Sequence, residues 1–262
     1  MQLNGKTAVL TGASGGIGNA MAQALSDAGV SLLLVGRRAA VLDELATRLG
    51  PQHAVVVADV TDAAGRAAVQ QACIAHPRGI DILVNNAGIN AFGAFEKQAA
   101  DMIERKITTN LLAPMLLTHA LLPALHRAPR ALIVNVGSGF GSLGYPGFAA
   151  YAASKFGLRG FSEALRRELA DSTVGVLHLA PRATATAINT DRVVALNQAL
   201  GNAVDPPELV AQALLRQLRE ERPHLALGGR ERVFAHLNTL LPGVVDRALK
   251  RQLPVIRRFF HH

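Results

Sequence analysis

Tryptophan is absent, tyrosine occurs twice and aromatic residues make up 4% of the 262 positions. A core without many large rings has to be filled by Ala, Leu and Val, and apolar residues do reach 50% of the chain, a composition that suits one sizeable α/β domain. The single cysteine, Cys73, excludes an internal disulfide and a multi-thiolate metal site, and no histidines are spaced to hold a metal. No low-complexity segment, long linker or internal repeat interrupts the chain, so a single domain is expected. The first strand-like run follows Met1-Gln2-Leu3-Asn4-Gly5-Lys6 directly; with no room there for a signal peptide, a cytoplasmic location is expected. Lys and Arg outnumber Asp and Glu by 27 to 19, giving a net charge of +8. These cations are dispersed and accompany no recognition motif, so a nucleotide cofactor accounts for them more economically than a nucleic acid.

What is present begins with Tyr151 and Lys155, four residues apart, which share one face if the stretch is helical. A free phenol has a pKa of roughly 10, and a fixed cation beside it favours the phenolate, so the pair reads as a proton-transfer device. Near the N-terminus the strand-like run Thr7 to Leu10 leads into Thr11-Gly12-Ala13-Ser14-Gly15-Gly16-Ile17-Gly18 and then an apolar-periodic helix. Strand, glycine turn and helix start aim backbone N–H groups and a helix dipole at one point, where a pyrophosphate is well held. Gly12 would permit the tight turn, Gly16 the approach of the phosphates and Gly18 the packing of helix on sheet. After the second strand, where an NAD site places an acidic residue to accept from the ribose, the chain has Gly36-Arg37-Arg38. Two guanidinium groups, with the Ser14 hydroxyl nearby, would pair with a 2′-phosphate, so the expected cofactor is NADP(H).

With these residues in order, the chain resembles the short-chain dehydrogenase/reductase family from about Leu3 to Thr186. The Thr-Gly-x-x-x-Gly-x-Gly turn, Asp59 after the third strand, Asn85-Asn86-Ala87-Gly88 after the fourth, Asn110, Ser138 and the Tyr151/Lys155 pair all fall in family sequence. The resemblance implies hydride transfer between a nicotinamide and a carbonyl or alcohol carbon. Tyr151 would be the general acid or base, Ser138 would hold and polarise the substrate oxygen, and Lys155 would lower the Tyr151 pKa and reach the nicotinamide ribose. Asn110 would hold a water linking Lys155 to solvent; the alternative is a polar residue at a helix kink. Asp59 and Val60 would flank the adenine, Asn86, Ala87 and Gly88 would line the adenosine ribose, and Pro181, Thr184, Thr186 and Ile17 would complete the cofactor site.

Seven strand-like runs, near residues 7, 32, 54, 81, 132, 174 and 224, alternate with helical stretches. They predict a Rossmann-type, doubly wound parallel sheet over 1–228, with a helical C-terminal extension over 229–262. The long helices around 96–126 and 149–170 would, by family analogy, join two or four copies, and otherwise belong to the core. Where the family writes Pro-Gly after the sixth strand, this chain writes Pro181-Arg182. Arg182 is either a structural residue in a modified turn or a contact to an anionic group. Substrate contacts are expected from Ser138, Phe140, Tyr145, Phe148 and Tyr151, and from Ile188 to Val204. The apolar residues there favour a lipophilic carbonyl or alcohol. Beyond Gly228, apolar residues from Leu237 to Phe260 recur at helical spacing among Arg247, Lys250, Arg251, Arg257 and Arg258. Such a tail would lie on an anionic membrane surface, or pack as a helical hairpin on the core or on another subunit, where it could cover the substrate pocket. A catalytically silent cofactor-binding protein and a membrane-surface lipid-modifying reductase are the competing functions.

Overall fold

The computed structural model describes residues 1–260; the terminal His261 and His262 lie outside the described residues. Each of the seven apolar runs forms a strand: β1 (Thr7–Thr11), β2 (Ser31–Gly36), β3 (Ala54–Val57), β4 (Ile82–Asn85), β5 (Ala131–Val136), β6 (Val174–Ala180) and β7 (His224–Ala226). All pairings are parallel and the order across the sheet is β3-β2-β1-β4-β5-β6-β7. Both faces of a parallel sheet are covered by crossover helices, which is why β1 and β5, buried at every position, are written as continuous apolar runs.

The connecting helices are α1 (Gly16–Asp27), α2 (Ala39–Leu49), α3 (Ala63–Ala75), α4 (Ala100–Ile107), α5 (Ala113–Leu125), α6 (Ala149–Glu168), α7 (Asp191–Ala199) and α8 (Pro207–Glu220). Met21 and Leu25 of α1, Leu42 and Leu45 of α2 and Val210 and Leu214 of α8 fill one face of the sheet. Val69 and Cys73 of α3 and Leu117, Leu121 and Leu125 of α5 fill the other. Helices α4 and α5 are joined through a π-helical turn, Thr108–Leu112, into one rod. That rod, Ala100–Leu125, is long and apolar enough to cross a membrane by length and composition; here one side of it, with Leu117, Leu121 and Leu125, packs on the sheet. The order in which strands are added switches from one side of β1 to the other at β1 and β4, and the crevice beyond their C-terminal ends is where such folds bind ligands.

The C-terminal residues form a helical hairpin, α9 (Gly229–Leu240) and α10 (Pro242–Arg258). Pro242 stands in the first turn of α10, where its missing N–H costs nothing, and Pro254 is taken into the helix. Val245 and Ile256 are buried beneath α10.

A histidine pair, His178 buried and His224 exposed, joins the last two strands. His178 on β6 and His224 on β7 are register partners with stacked rings, and their Nδ1 atoms lie 3.1 Å apart. Burial first, then the neighbouring charges of His224, Lys155 and Arg159, push His178 down to about 3. An unfolded His178 takes up a proton below about pH 6.5 while the folded one stays neutral, so this stability is complete above pH 6.5 and falls away toward pH 3. The loss from this group is expected to reach about 2 kcal/mol by pH 5, and the lowered His53 and His224 steepen it. Urea unfolding at pH 8 and pH 5 checks this, and His178→Gln should flatten the difference.

Candidate active site

A cavity of about 670 Å³ opens beyond the ends of β1 and β4, lined by Gly12, Ser14, Gly16, Ile17 and Gly18, by Arg37 and Arg38, by Asp59 and Val60, by Asn86, Ala87 and Gly88, and by Thr186. Two glycines have a geometric reason. Gly12 has φ +66°, and a Cβ on it would meet Ala87 Cα at 2.9 Å; a Cβ on Gly18 would stand 2.1 Å from the Gly12 carbonyl oxygen. Gly16 instead faces the segment between β6 and α7, with Thr186 Cγ2 2.7 Å from its would-be Cβ. Helix α1 starts at Gly16 with no side-chain cap and no acidic residue in its first turn, so its free N–H groups and dipole are left for a ligand. Thr11, to which the sequence reading gave no separate role, fixes the turn. Its Oγ1 accepts from the backbone N–H groups of Asn86 and Ala87 at 3.0 and 3.1 Å, while Asn86 Nδ2 donates to the carbonyls of Thr11 and Gly12.

At the far end of the cavity Arg38 donates to the Ser14 carbonyl at 2.5 Å, and the largely exposed Arg37 stands 3.5 Å from Asp59. Gly36, just before them, leaves the space that Ser14 Oγ occupies: a Cβ there would be 3.3 Å from it.

Ser138 follows β5, and its hydroxyl accepts from Phe140 N–H at 3.2 Å, capping a short 3₁₀ turn. Tyr151 and Lys155 lie one turn apart on α6, and Ser138 stands beside the phenol and favours its anion. The lysine is buried; its Nζ donates to the Val136 carbonyl at 2.9 Å and stands 5.8 Å from the centre of the Tyr151 ring. A Cβ on Gly88 would lie 3.7 Å from that Nζ, so the lysine reaches the wall of the cofactor cavity.

The protonation balance differs from the expectation that Lys155 lowers the Tyr151 pKa. Burial raises Tyr151, with Ser138 pulling in the opposite direction, and burial lowers Lys155 to about 8. Desolvation disfavours the charged form of each group, and at this separation the ammonium is engaged by a carbonyl instead of the phenol. The protein alone thus holds Tyr151 as a proton donor, the state a carbonyl reduction requires.

Asn110 is fully buried in the π-helical turn. Its Oδ1 accepts from Ile89 N–H at 2.8 Å, and its Nδ2 donates to the Ile89 carbonyl at 2.9 Å and to Ser154 Oγ at 3.1 Å. The side chain is a clamp on the loop after β4. Ser154, which itself donates to the Tyr151 carbonyl at 2.7 Å, went unrecognised in the sequence because no motif marks it.

Seven of the eleven aromatic residues converge around the phenol: Phe92, Phe140, Tyr145, Phe148, Tyr151, Phe259 and Phe260. Phe140 stacks on Tyr145 at 5.2 Å and meets the Tyr151 ring edge-on at 6.4 Å, as does Phe148. Phe92 and Phe260, at 5.5 Å, come from distant parts of the chain. The apolar face of α10 therefore packs over this pocket, the hairpin alternative of the sequence reading.

Arg182 makes a two-pronged ion pair with the buried Asp205, at 2.8 and 2.6 Å. Asp205 also pairs through its backbone with Ala183 and Ala185, so the guanidinium braces the neck of the lid that carries α7. This supports the structural reading of Arg182. Pro181 accepts from Gly139 N–H at 2.8 Å, tying the ends of β5 and β6 together. Thr184 sits apart from the cavity: it is buried and donates to the Arg182 carbonyl at 3.0 Å. Thr186 lines the cavity, and its buried hydroxyl has no partner among the described residues.

The short chain dehydrogenase family model matches residues 6–196. The chain belongs to the short-chain dehydrogenase family. It is 31% identical to the Bos taurus dehydrogenase/reductase SDR family member 7B over 97% of this chain and 83% of the bovine one. Among solved structures it is similar to the 3-ketoacyl-(acyl-carrier-protein) reductase of Brucella melitensis complexed with NADH, with a TM-score of 0.81, 28% identity and coverage of 87% and 99% of the two chains. A short-chain dehydrogenase of Streptomyces avermitilis superposes with a TM-score of 0.80 at 30% identity, covering 96% of this chain and 98% of that one. As a short-chain dehydrogenase the protein is an oxidoreductase that takes a nicotinamide cofactor. Its residues fit that group: an uncapped helix start, a glycine cradle and the unpartnered Thr186 hydroxyl face one cavity.

Proposed function

We propose that the protein interconverts a carbonyl and an alcohol on a mainly lipophilic small molecule, using NADP(H), with Tyr151 as general acid and base. The observation that carries this reading is the convergence of Ser138, the Tyr151 phenol, an aromatic pocket and the buried Lys155. The reduced nicotinamide supplies the hydride. Ser138 donates to the substrate oxygen and fixes it beside the phenol, Tyr151 releases its proton to that oxygen, and Lys155, held by the Val136 carbonyl, lines the wall of the cofactor cavity. The rings of Phe140, Phe148 and Phe92 keep water from the reacting carbon.

The preference for NADP(H) rests on Arg37 and Arg38, which line the adenosine end of the cavity. In binding titrations NADPH is expected to bind tighter than NADH, and a combined Arg37→Ala, Arg38→Ala variant should lose roughly tenfold in that ratio, since each is a solvent-screened guanidinium contact to phosphate. Wild-type preference for NADH would overturn the assignment. Exposed Leu112, Met115, Leu116 and Phe156 on the outer side of the α4–α5 rod and α6 form an apolar face that suits a second copy of the chain, and supports a homo-oligomer.

A further inference from the structure

We propose that the α9–α10 hairpin docks the protein on an anionic lipid surface, with the cations of α10 against the headgroups and the hairpin tip in the bilayer. Helix α10 has two distinct sides. Val245 and Ile256 are buried, and Leu249 and Leu253 partly so, against the body of the protein. At 3.6 residues per turn Arg247, Arg251 and Arg258 fall on the opposite side and Lys250 and Arg257 on its flank, and all five are exposed. Among the described residues none of the five forms an ion pair. The apolar side that would sink a free amphipathic helix into lipid is therefore already used by the protein. A stripe of cations is what faces outward.

At one end of that stripe the turn between the helices exposes large apolar side chains: Leu240 is 76% exposed, Leu241 55% and Val244 45%. Cations beside an exposed apolar tip match a surface that is anionic at its face and hydrocarbon beneath. An acidic protein would leave the tip unexplained. A second copy would set one cation stripe against another, in a chain already at +8. The hairpin cannot span a bilayer, because charges recur along both helices. Docking is independent of the chemistry at Tyr151. A consequence does rest on the proposed substrate class: Phe259 and Phe260, which follow α10, wall the aromatic pocket, so a docked molecule holds that pocket close to the phase where a lipophilic carbonyl compound concentrates.

The test is co-sedimentation of the full chain with vesicles of phosphatidylcholine alone and of phosphatidylcholine mixed with phosphatidylserine. Binding is expected only to the mixed vesicles, weakening as salt is raised. Leu240→Ser with Leu241→Ser, and separately Arg247→Glu with Arg251→Glu, should each weaken it about tenfold or more, while NADPH affinity and turnover of a water-soluble carbonyl stay at wild-type level. No binding to the mixed vesicles, or binding that either double variant leaves unchanged, overturns the proposal. So does loss of an oligomer in the leucine variant, which would assign the tip to a second copy, or equal binding to both vesicle types. Failure of catalysis with docking intact would count against the proposed function instead.

Discussion

Tyr151→Phe is expected to lower turnover by about 10² to 10⁴-fold, the range that a positioned proton donor contributes, and to leave NADPH affinity within about twofold. The substitution removes one oxygen and keeps the ring, and it is the ring that packs against Phe140 and Phe148. The pocket therefore stays filled and the aromatic cluster that also includes Phe92 and Phe260 has no reason to shift. Ser138 keeps its own anchor, the N–H of Phe140, so a substrate oxygen can still be held with nothing beside it to supply a proton. The pattern that checks the role is loss of kcat with retained NADPH binding, followed by fluorescence titration and steady-state assays across a panel of ketones, aldehydes and secondary alcohols. A decrease of less than tenfold would place the proton donor elsewhere. Unaltered performance of a cellular role with no turnover in either protein would favour a silent cofactor-binding protein.

Much of the fold was legible because its signals are local. Buried parallel strands appear as unbroken apolar runs, and the glycine turn, Ser138 and the Tyr151/Lys155 spacing each lie within a few consecutive residues. What sequence reasoning missed is carried by partners far apart in the chain. The sequence favours a structural role for Arg182, but its partner was not legible because the carboxylate, Asp205, lies 23 positions away. The amphipathic pattern of α10 announced two faces but not which one the protein itself would cover; that depended on Phe92 and Phe148 offering a surface to Ile256 and Phe260. Thr184 and Thr186 are two residues apart and chemically alike, and only the path of the lid decides that one serves the turn and the other the cavity. The protonation of the Tyr151/Lys155 pair depended on depth, since the same spacing at a surface would have left the ammonium free to act on the phenol.

The largest stability effect is expected at a position defined by what it lacks. Gly137 stands beside Ser138, and a Cβ there would lie 2.2 Å from His178 Nε2 and 2.6 Å from His178 Cε1. Gly137 cannot back away, because its N–H is held by the Leu179 carbonyl at 2.6 Å. Nor can the imidazole, whose ring stacks on His224 and is almost completely buried. Gly137→Ala should therefore destabilise the protein by about 3 kcal/mol or more, at the upper end for overpacking, and displace Ser138 enough to reduce turnover. His178→Ala alone should cost about 2 to 4 kcal/mol through the cavity it leaves. In the double variant the new methyl group occupies part of that cavity, so the two losses should fall short of additivity by at least about 1 kcal/mol, with turnover recovering alongside. Urea unfolding of the four proteins measures the coupling. Strict additivity would mean that the β5 end shifts freely, and that glycine at 137 answers to something other than the histidine facing it.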